Sequence, residues 1–214
     1  MKYPIHDITF GKYKEPKIDN PRKYVGGHWE NGKIQFDFMI SEGLLPHNHL
    51  LDIGCGCLRG GKHFISYLGE LCYWGVEHNK SLVKYGYDSI LSEEERNKKP
   101  TFIITDKFEL EAVNADFGHA FFHYGIAKSV FTHMTIDTIG LCLRRVRPYF
   151  TEGGKFYATI FIGDSKKNSA EDSDTQPFFY SMEEIEKACC GRWAVERKGR
   201  LDKSRQEMLK FTAL

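Results

Sequence analysis

Between residues 50 and 162 the chain switches repeatedly between short apolar or β-branched runs and longer stretches with helical spacing, and this alternation constrains the fold more than any other feature. The strand-like runs are LLDIG (50–54), CYWGVE (72–77), TFIIT (101–105), GHAFFHYGIA (118–127) and GGKFYATIFI (153–162), the last entered through a Gly-Gly turn. GGKHFISYLG (60–69), SLVKYGYDSILSEEER (81–96) and TIDTIGLCLRRVRPYF (135–150) read as helices. In the third, Ile136, Ile139, Leu143 and Val146 share a face and Pro148 ends it. Asn79 or Ser81 is suited to cap the second. Strands separated by helices imply an α/β fold with parallel strands joined by right-handed crossovers. The tail departs from this pattern. SMEEIEKACC (181–190) reads as a short helix with a Ser181/Glu184 capping box, and RWAVERKG (192–199) and QEMLKFTAL (206–214) read as an antiparallel hairpin at the sheet edge.

The 214 residues suit one domain spanning 1–214, with 1–45 as an N-terminal arm and helix. Pro4, Pro16, Pro21 and Gly26-Gly27 mark the first 30 residues as irregular chain, and NGKIQFDFMISEG (31–43) reads as a helix stopped by Gly43. A net charge of +1 argues against a nucleic-acid partner, which draws a basic footprint. No apolar run approaches the ~18 residues of a membrane span, and the N-terminus lacks the apolar core of a signal peptide, so a cytoplasmic location is expected. The six cysteines (Cys55, Cys57, Cys72, Cys142, Cys189, Cys190) form no C-x-x-C pair, which points to free thiols and no metal. GDSKKNSAEDSDTQP (163–177) reads as a mobile surface loop.

Open parallel sheets bind ligands beyond the carboxyl ends of their strands. The first such end carries Asp52 and the turn Gly54-Cys55-Gly56. The second ends at Glu77, 25 residues after Asp52, where a carboxylate can accept from ribose hydroxyls. The third ends at Asp106 and the fourth near Ser129. A nicotinamide dinucleotide wants G-x-G-x-x-G to admit its pyrophosphate, but position 59 is Arg. S-adenosylmethionine offers ribose and adenine without a phosphate, and needs only the close turn and the acidic positions.

LLDIGCGCLRGG, YWGVEHN, ITDKF and IAKSVFTHM resemble the successive motifs of class I S-adenosylmethionine-dependent methyltransferases, from about residue 24 to the C-terminus. With VGGHWE and GGKFYATIF they are similar to a bacterial subgroup often found with surface-polysaccharide biosynthesis, which contains small-molecule and sugar O-methyltransferases. The resemblance implies a Rossmann-like fold: a mostly parallel seven-stranded sheet with an antiparallel last strand and helices on both faces. It also implies S-adenosyl-L-methionine as cofactor and S-adenosyl-L-homocysteine as product. Carried onto this chain, Gly54, Cys55 and Gly56 would lie against the methionine part, Glu77 would hold the ribose with His78 or Asn79 beside it, and Asp106 would take the adenine amino group with Lys107 and Phe108 flanking the ring. Lys128 and Ser129 would line the floor near the methionine carboxylate. The chain departs from the pattern at Leu58, where a third glycine is usual, and Gly60-Gly61 arrive late.

Several residues carry two readings. His133, after the fourth strand, is either a general base for an acceptor hydroxyl or a structural histidine. His28 and Trp29 either fold over cofactor and substrate as part of a lid or anchor the arm on the core. Arg59 either meets an anionic group, such as the cofactor carboxylate, or is a solvated loop arginine. His63 reads as a packing or surface residue, and His119 and His123 read as structural. Residues 186–210 hold eight basic against four acidic side chains, a surplus of four that could serve a phosphate-bearing acceptor or simply be a solvated hairpin face. The leading expectation is an enzyme that methylates oxygen on a small molecule, a sugar or a surface-polysaccharide component. The rivals are a non-catalytic S-adenosylmethionine-binding module and a nicotinamide-dependent oxidoreductase.

Overall fold

The computed structural model describes residues 5–7, 18–26, 28–110, 121–173, 175–201, 203 and 205–214. They fall into two compact units, 1–112 and 113–214. The expectations for Pro4, Pro16, Gly27 and His119 lie outside the described residues.

The first unit is built on four parallel strands: β1 (Ile5–Asp7), β2 (Leu50–Ile53), β3 (Tyr73–Glu77) and β4 (Thr101–Ile104), in the order β1-β4-β3-β2. Every residue of β2, β3 and β4 is buried, the behaviour of parallel strands covered on both faces, and it explains why they read as continuous apolar runs. The arm is not irregular throughout. It supplies β1, tied to the rest by Lys80 Nζ and Asp7 at 2.9 Å, and the short helix α1 (Pro21–Tyr24), whose Asn20 side chain caps the Lys23 amide. Helix α2 (Glu30–Ser41) follows, and Gly43 takes a φ of 98° just beyond its end, as expected of a C-terminal stop.

Helix α3 (Gly61–Tyr67) joins β2 to β3. The single helix expected over 81–96 is two. Helix α4 (Lys80–Tyr85), capped by Asn79, runs on as one π-helical turn over Gly86–Ile90. Leu91 then turns extended and buries its side chain, and Ser92 opens α5 (Glu93–Asn97) with a full capping box to Glu95. A serine and a glutamate three apart satisfy two orphan amides at once, so a new helix starts here.

The second unit contains β5 (Phe122–Ala127), β6 (Phe150–Ile162), β7 (Phe179–Tyr180), β8 (Trp193–Gly199) and β9 (Glu207–Ala213). β5 and β7 pair with β6 in parallel, and β9 runs antiparallel to both β6 and β8, which is the hairpin read from the tail. Helices α6 (Ile136–Val146) and α7 (Met182–Ala188) complete it; α6 ends before Pro148, which falls in a 3-10 turn, and Ser181/Glu184 form the expected box. β6 starts at Phe150 and not after Gly153-Gly154: Phe122 pairs with Phe150 and Tyr124 with Lys155, so 151–154 bulge out of the ladder, with Gly153 at a φ of 70°. Phe131, Phe150, Phe156, Phe211 and Trp193 interlock as the core, with ring centroids 5.2 Å apart for Phe150–Trp193 and 5.9 Å for Phe131–Phe156. Among the described residues there are nine strands, two more than the expected seven; the additions, β1 and β7, have three and two residues. All six cysteines are free thiols, and only Cys190 is exposed.

Candidate functional site

In the first unit the turn after β2 is shaped by positive φ at Gly54 (70°), Gly56 (54°) and Leu58 (66°). Glu77, at the end of β3 and only 5 % exposed, holds this turn. Its Oε2 accepts from the Gly56 amide at 3.0 Å, and its Oε1 accepts from the amides of His78 and Asn79, each at 3.0 Å. His78 Nδ1 lies 3.1 Å from Oε1. Three further amides of the turn are bonded inside the protein: Gly54 and Cys55 donate to the Val76 carbonyl, and Leu58 donates to the Cys55 carbonyl. The amides of Gly54, Cys55, Gly56 and Leu58 are thus engaged, and a buried carboxylate stands at the first G-x-G of the turn.

Behind the turn, Asp52 accepts from the Tyr73 hydroxyl at 2.7 Å. Burial raises the Asp52 carboxyl to about 7; the Tyr73 hydrogen bond works against this and the Glu77 charge adds to it. The same burial, with Asp52 and Glu77 nearby, lifts the Cys55 thiol well above its usual range, and Cys57 is pushed up to about 11. Both cysteines thus stay protonated at neutral pH.

Leu58 and the late glycines explain one another. The Leu58 side chain is fully buried, and a Cβ on Gly61 would lie 3.0 Å from its Cδ2 and 2.5 Å from the Tyr73 hydroxyl. Leucine fills the position where a third glycine is usual, and Gly61 gives it the room. Arg59 is neither solvated nor open to a ligand on every side: its Nη1 donates to the Val25 carbonyl at 2.6 Å, and burial lowers its pKa. A Cβ on Gly32, in α2, would strike the Arg59 carbonyl oxygen, and one on Gly56 would meet Val25 Cγ1 at 3.0 Å. The arm thus lies directly on the glycine turn. Trp29 is half-buried beneath the Arg22 guanidinium, 4.3 Å from its ring, and its indole N–H has no acceptor among the described residues. His28 is exposed, with Nδ1 3.4 Å from Glu30. His63 is half-buried on α3, 6.1 Å from the Phe36 ring, the packing role expected.

Beyond β4, Asp106 and Lys107 are exposed and Phe108 is buried at a φ of 59°. Thr105 organises this turn, its Oγ1 accepting from the Lys107 and Glu109 amides and donating to the Glu109 carboxylate.

In the second unit the end of β5 carries a polar knot. Lys128 Nζ and Ser129 Oγ both donate to Gln206 Oε1, at 2.8 and 3.0 Å, and the Ser129 amide donates to Thr159 Oγ1 at 2.7 Å. Ser129 sits at a φ of 59°, held there by these bonds. His133 lies in the next turn, half-buried, with Nδ1 3.1 Å from the Ser173 carbonyl oxygen. The basic residues of the hairpin are partly neutralised: Arg197 pairs with Glu207 through two 2.7 Å bonds, and Lys210 with Glu196 at 2.9 Å.

Gln206, Thr159, Tyr73 and Ser173 were not among the residues singled out in the sequence. Each meets its partner across a long chain separation, and no local pattern marks it.

No protein-family model and no curated protein matches the chain. Solved structures do. Magnesium protoporphyrin IX methyltransferase from Synechocystis, with bound SAM, superposes at a TM-score of 0.63 and 13 % identity over 94 % of this chain and 88 % of its own. The CcbJ methyltransferase from Streptomyces caelestis gives 0.64 and 14 % over 86 % and 89 %. An S-adenosylmethionine-dependent methyltransferase from Clostridium acetobutylicum gives 0.59 and 13 % over 92 % and 93 %. The chain has the Rossmann-like α/β fold of these structures.

Proposed function

We propose that the chain is an S-adenosylmethionine-dependent methyltransferase acting on oxygen. The observation that carries the reading is the buried Glu77 carboxylate bonded to the Gly56 amide, the second glycine of the G-x-G turn. A dinucleotide pyrophosphate approaching the Gly56 amide would face the Glu77 carboxylate that already holds it; a cofactor with hydroxyls, an amino group and a sulfonium would not be repelled. The fold shared with the methyltransferases supports the same reading.

In this reading Glu77 Oε2, which accepts from the Gly56 amide, keeps a second acceptor direction for a ribose hydroxyl. Asp106 would accept from the adenine amino group, with Lys107 and Phe108 beside the ring. Gly54, Cys55 and Gly56 would hold the methionine part, and Lys128 and Ser129 would serve its carboxylate. The cofactor supplies a methyl group made electrophilic by its sulfonium. His133 would take the proton of the acceptor hydroxyl, whose oxygen would gain the methyl group as its bond to sulfur breaks and S-adenosylhomocysteine leaves. Segment 20–32, seated on the glycine turn, acts as a cover, with Trp29 and His28 as its candidate ligand contacts and Arg59 as its tether. The acceptor is a small molecule or a sugar; the link to surface polysaccharides rests on the motif resemblance alone.

Titration calorimetry tests the proposal. Wild-type protein is expected to bind S-adenosylhomocysteine and not NADH, and Glu77→Ala to weaken that binding by about ten- to hundredfold, the loss of a buried charge-assisted hydrogen bond. Binding of NADH with none of S-adenosylhomocysteine would sink it. Tight S-adenosylhomocysteine binding without methyl transfer to a broad panel of hydroxyl acceptors would instead make the chain a cofactor-binding module.

A further inference from the structure

The segment between β6 and α7, expected to be a mobile surface loop, is fastened to the turn that carries His133. Four consecutive residues of that turn are each bonded to it. The Phe178 amide donates to the Thr132 carbonyl at 2.9 Å, and the Ser173 amide donates to the His133 carbonyl at 3.0 Å. The Tyr180 hydroxyl donates to the Met134 carbonyl at 2.8 Å, and the Thr135 amide donates to Asp172 Oδ1 at 2.6 Å. The segment also closes on itself: Asn168 and Phe179 exchange two bonds, at 2.8 and 2.9 Å. Residues 168–180 are therefore a strap.

The strap decides one chemical fact about His133. A carbonyl oxygen only accepts, so the 3.1 Å contact between His133 Nδ1 and the Ser173 carbonyl requires the proton on Nδ1. In the neutral imidazole, Nε2 then carries the lone pair. A base must present a lone pair to its substrate, and a freely rotating imidazole would divide itself between two tautomers and several orientations. Asp172 secures the arrangement from the neighbouring position. Its carboxylate holds the amide of Thr135, which is also the N-cap of α6, its Oγ1 accepting from the Thr138 amide. A negative charge at that end of the helix is favourable in itself.

We infer that Asp172 and Ser173 are positioning residues that lock His133 as the Nδ1–H tautomer with Nε2 free to accept a proton. The inference rests on the reading of His133 as the base. Neither residue touches the reacting atoms; both act through His133.

The test uses the full chain, labelled with ¹⁵N, and long-range ¹H–¹⁵N spectra of the His133 ring at a pH where it is neutral. The wild type is expected to show Nδ1 protonated. Asp172→Ala is expected to give mixed tautomers and to lower kcat by about ten- to hundredfold, the scale of a misplaced catalytic group. Asp172→Asn keeps an acceptor oxygen for the Thr135 amide and is expected to restore both the spectrum and kcat to within about twofold. An Nε2–H tautomer in the wild type, or an unchanged tautomer and kcat in Asp172→Ala, overturns the inference. His133→Ala separates it from the reading beneath it. An unchanged kcat there removes the base, and the positioning role with it, even where the spectra show the lock.

Discussion

Leu58 lies at a φ of 66° with no exposed surface, where glycine would carry no backbone strain. The left-handed conformation costs an ordinary residue about 1–2 kcal/mol, whereas emptying a buried leucine site costs about 2–5 kcal/mol. Packing therefore outweighs strain. Leu58→Gly is expected to destabilise the protein by about 2 kcal/mol, the difference between the midpoints of these two ranges, although it restores the usual glycine. Urea unfolding of the variant checks this, and a stabilised variant would show that strain outweighs packing at this position. The same weighing explains Gly61, which is tolerated at the start of α3 because Leu58 and Tyr73 occupy the space of its side chain.

At the scale of elements, the arm matters most. A single guanidinium bond from Arg59 to the Val25 carbonyl, backed by the close approach of α2 at Gly32 and of Val25 at Gly56, fixes the segment between α1 and α2 on the glycine turn. Arg59→Ala removes a partly buried charge-assisted bond worth about 1.5–3 kcal/mol, and the loss falls on the arm and not on the strands. Limited proteolysis is expected to cut the variant between residues 20 and 30 at least about tenfold faster than the wild type, since cleavage of a locally opened segment follows its opening free energy. Unchanged cleavage would mean that the apolar contacts hold the arm without Arg59. The break at Leu91 and Ser92 has the same character: an element boundary set by a cap and by one buried side chain.

For the whole molecule, the buried Asp52 makes stability depend on pH. Its folded value of about 7 lies above the ordinary value near 3.9, so the folded protein binds the extra proton between these limits. The contribution is fully present below about pH 4 and is lost as pH rises towards 7, to a total on the order of 4 kcal/mol for a shift of about three pH units. Asp52→Asn can still accept from Tyr73 but does not ionise. Urea midpoints are expected to favour the variant increasingly over the wild type from pH 5 to pH 8; parallel pH profiles would show that Asp52 is already charged in the folded state at low pH.

Much of this protein could be read without a structure, for a definite reason. The strands, most helix limits, both ends of the hairpin and the Ser181/Glu184 box follow from residue periodicity and local side-chain bonds, which act over a few positions. The glycine turn and the place of Glu77 at the next strand end were legible because the connections of a parallel sheet bring strand ends to one edge. Tertiary structure alone decided the rest. Glu77 binding the Gly56 amide, Tyr73 donating to Asp52, Gln206 bridging Lys128 and Ser129, and Ser173 holding His133 all join residues 21 or more positions apart. Such pairs carry no periodicity; they exist because burial leaves a polar group no partner except the one the fold has brought beside it.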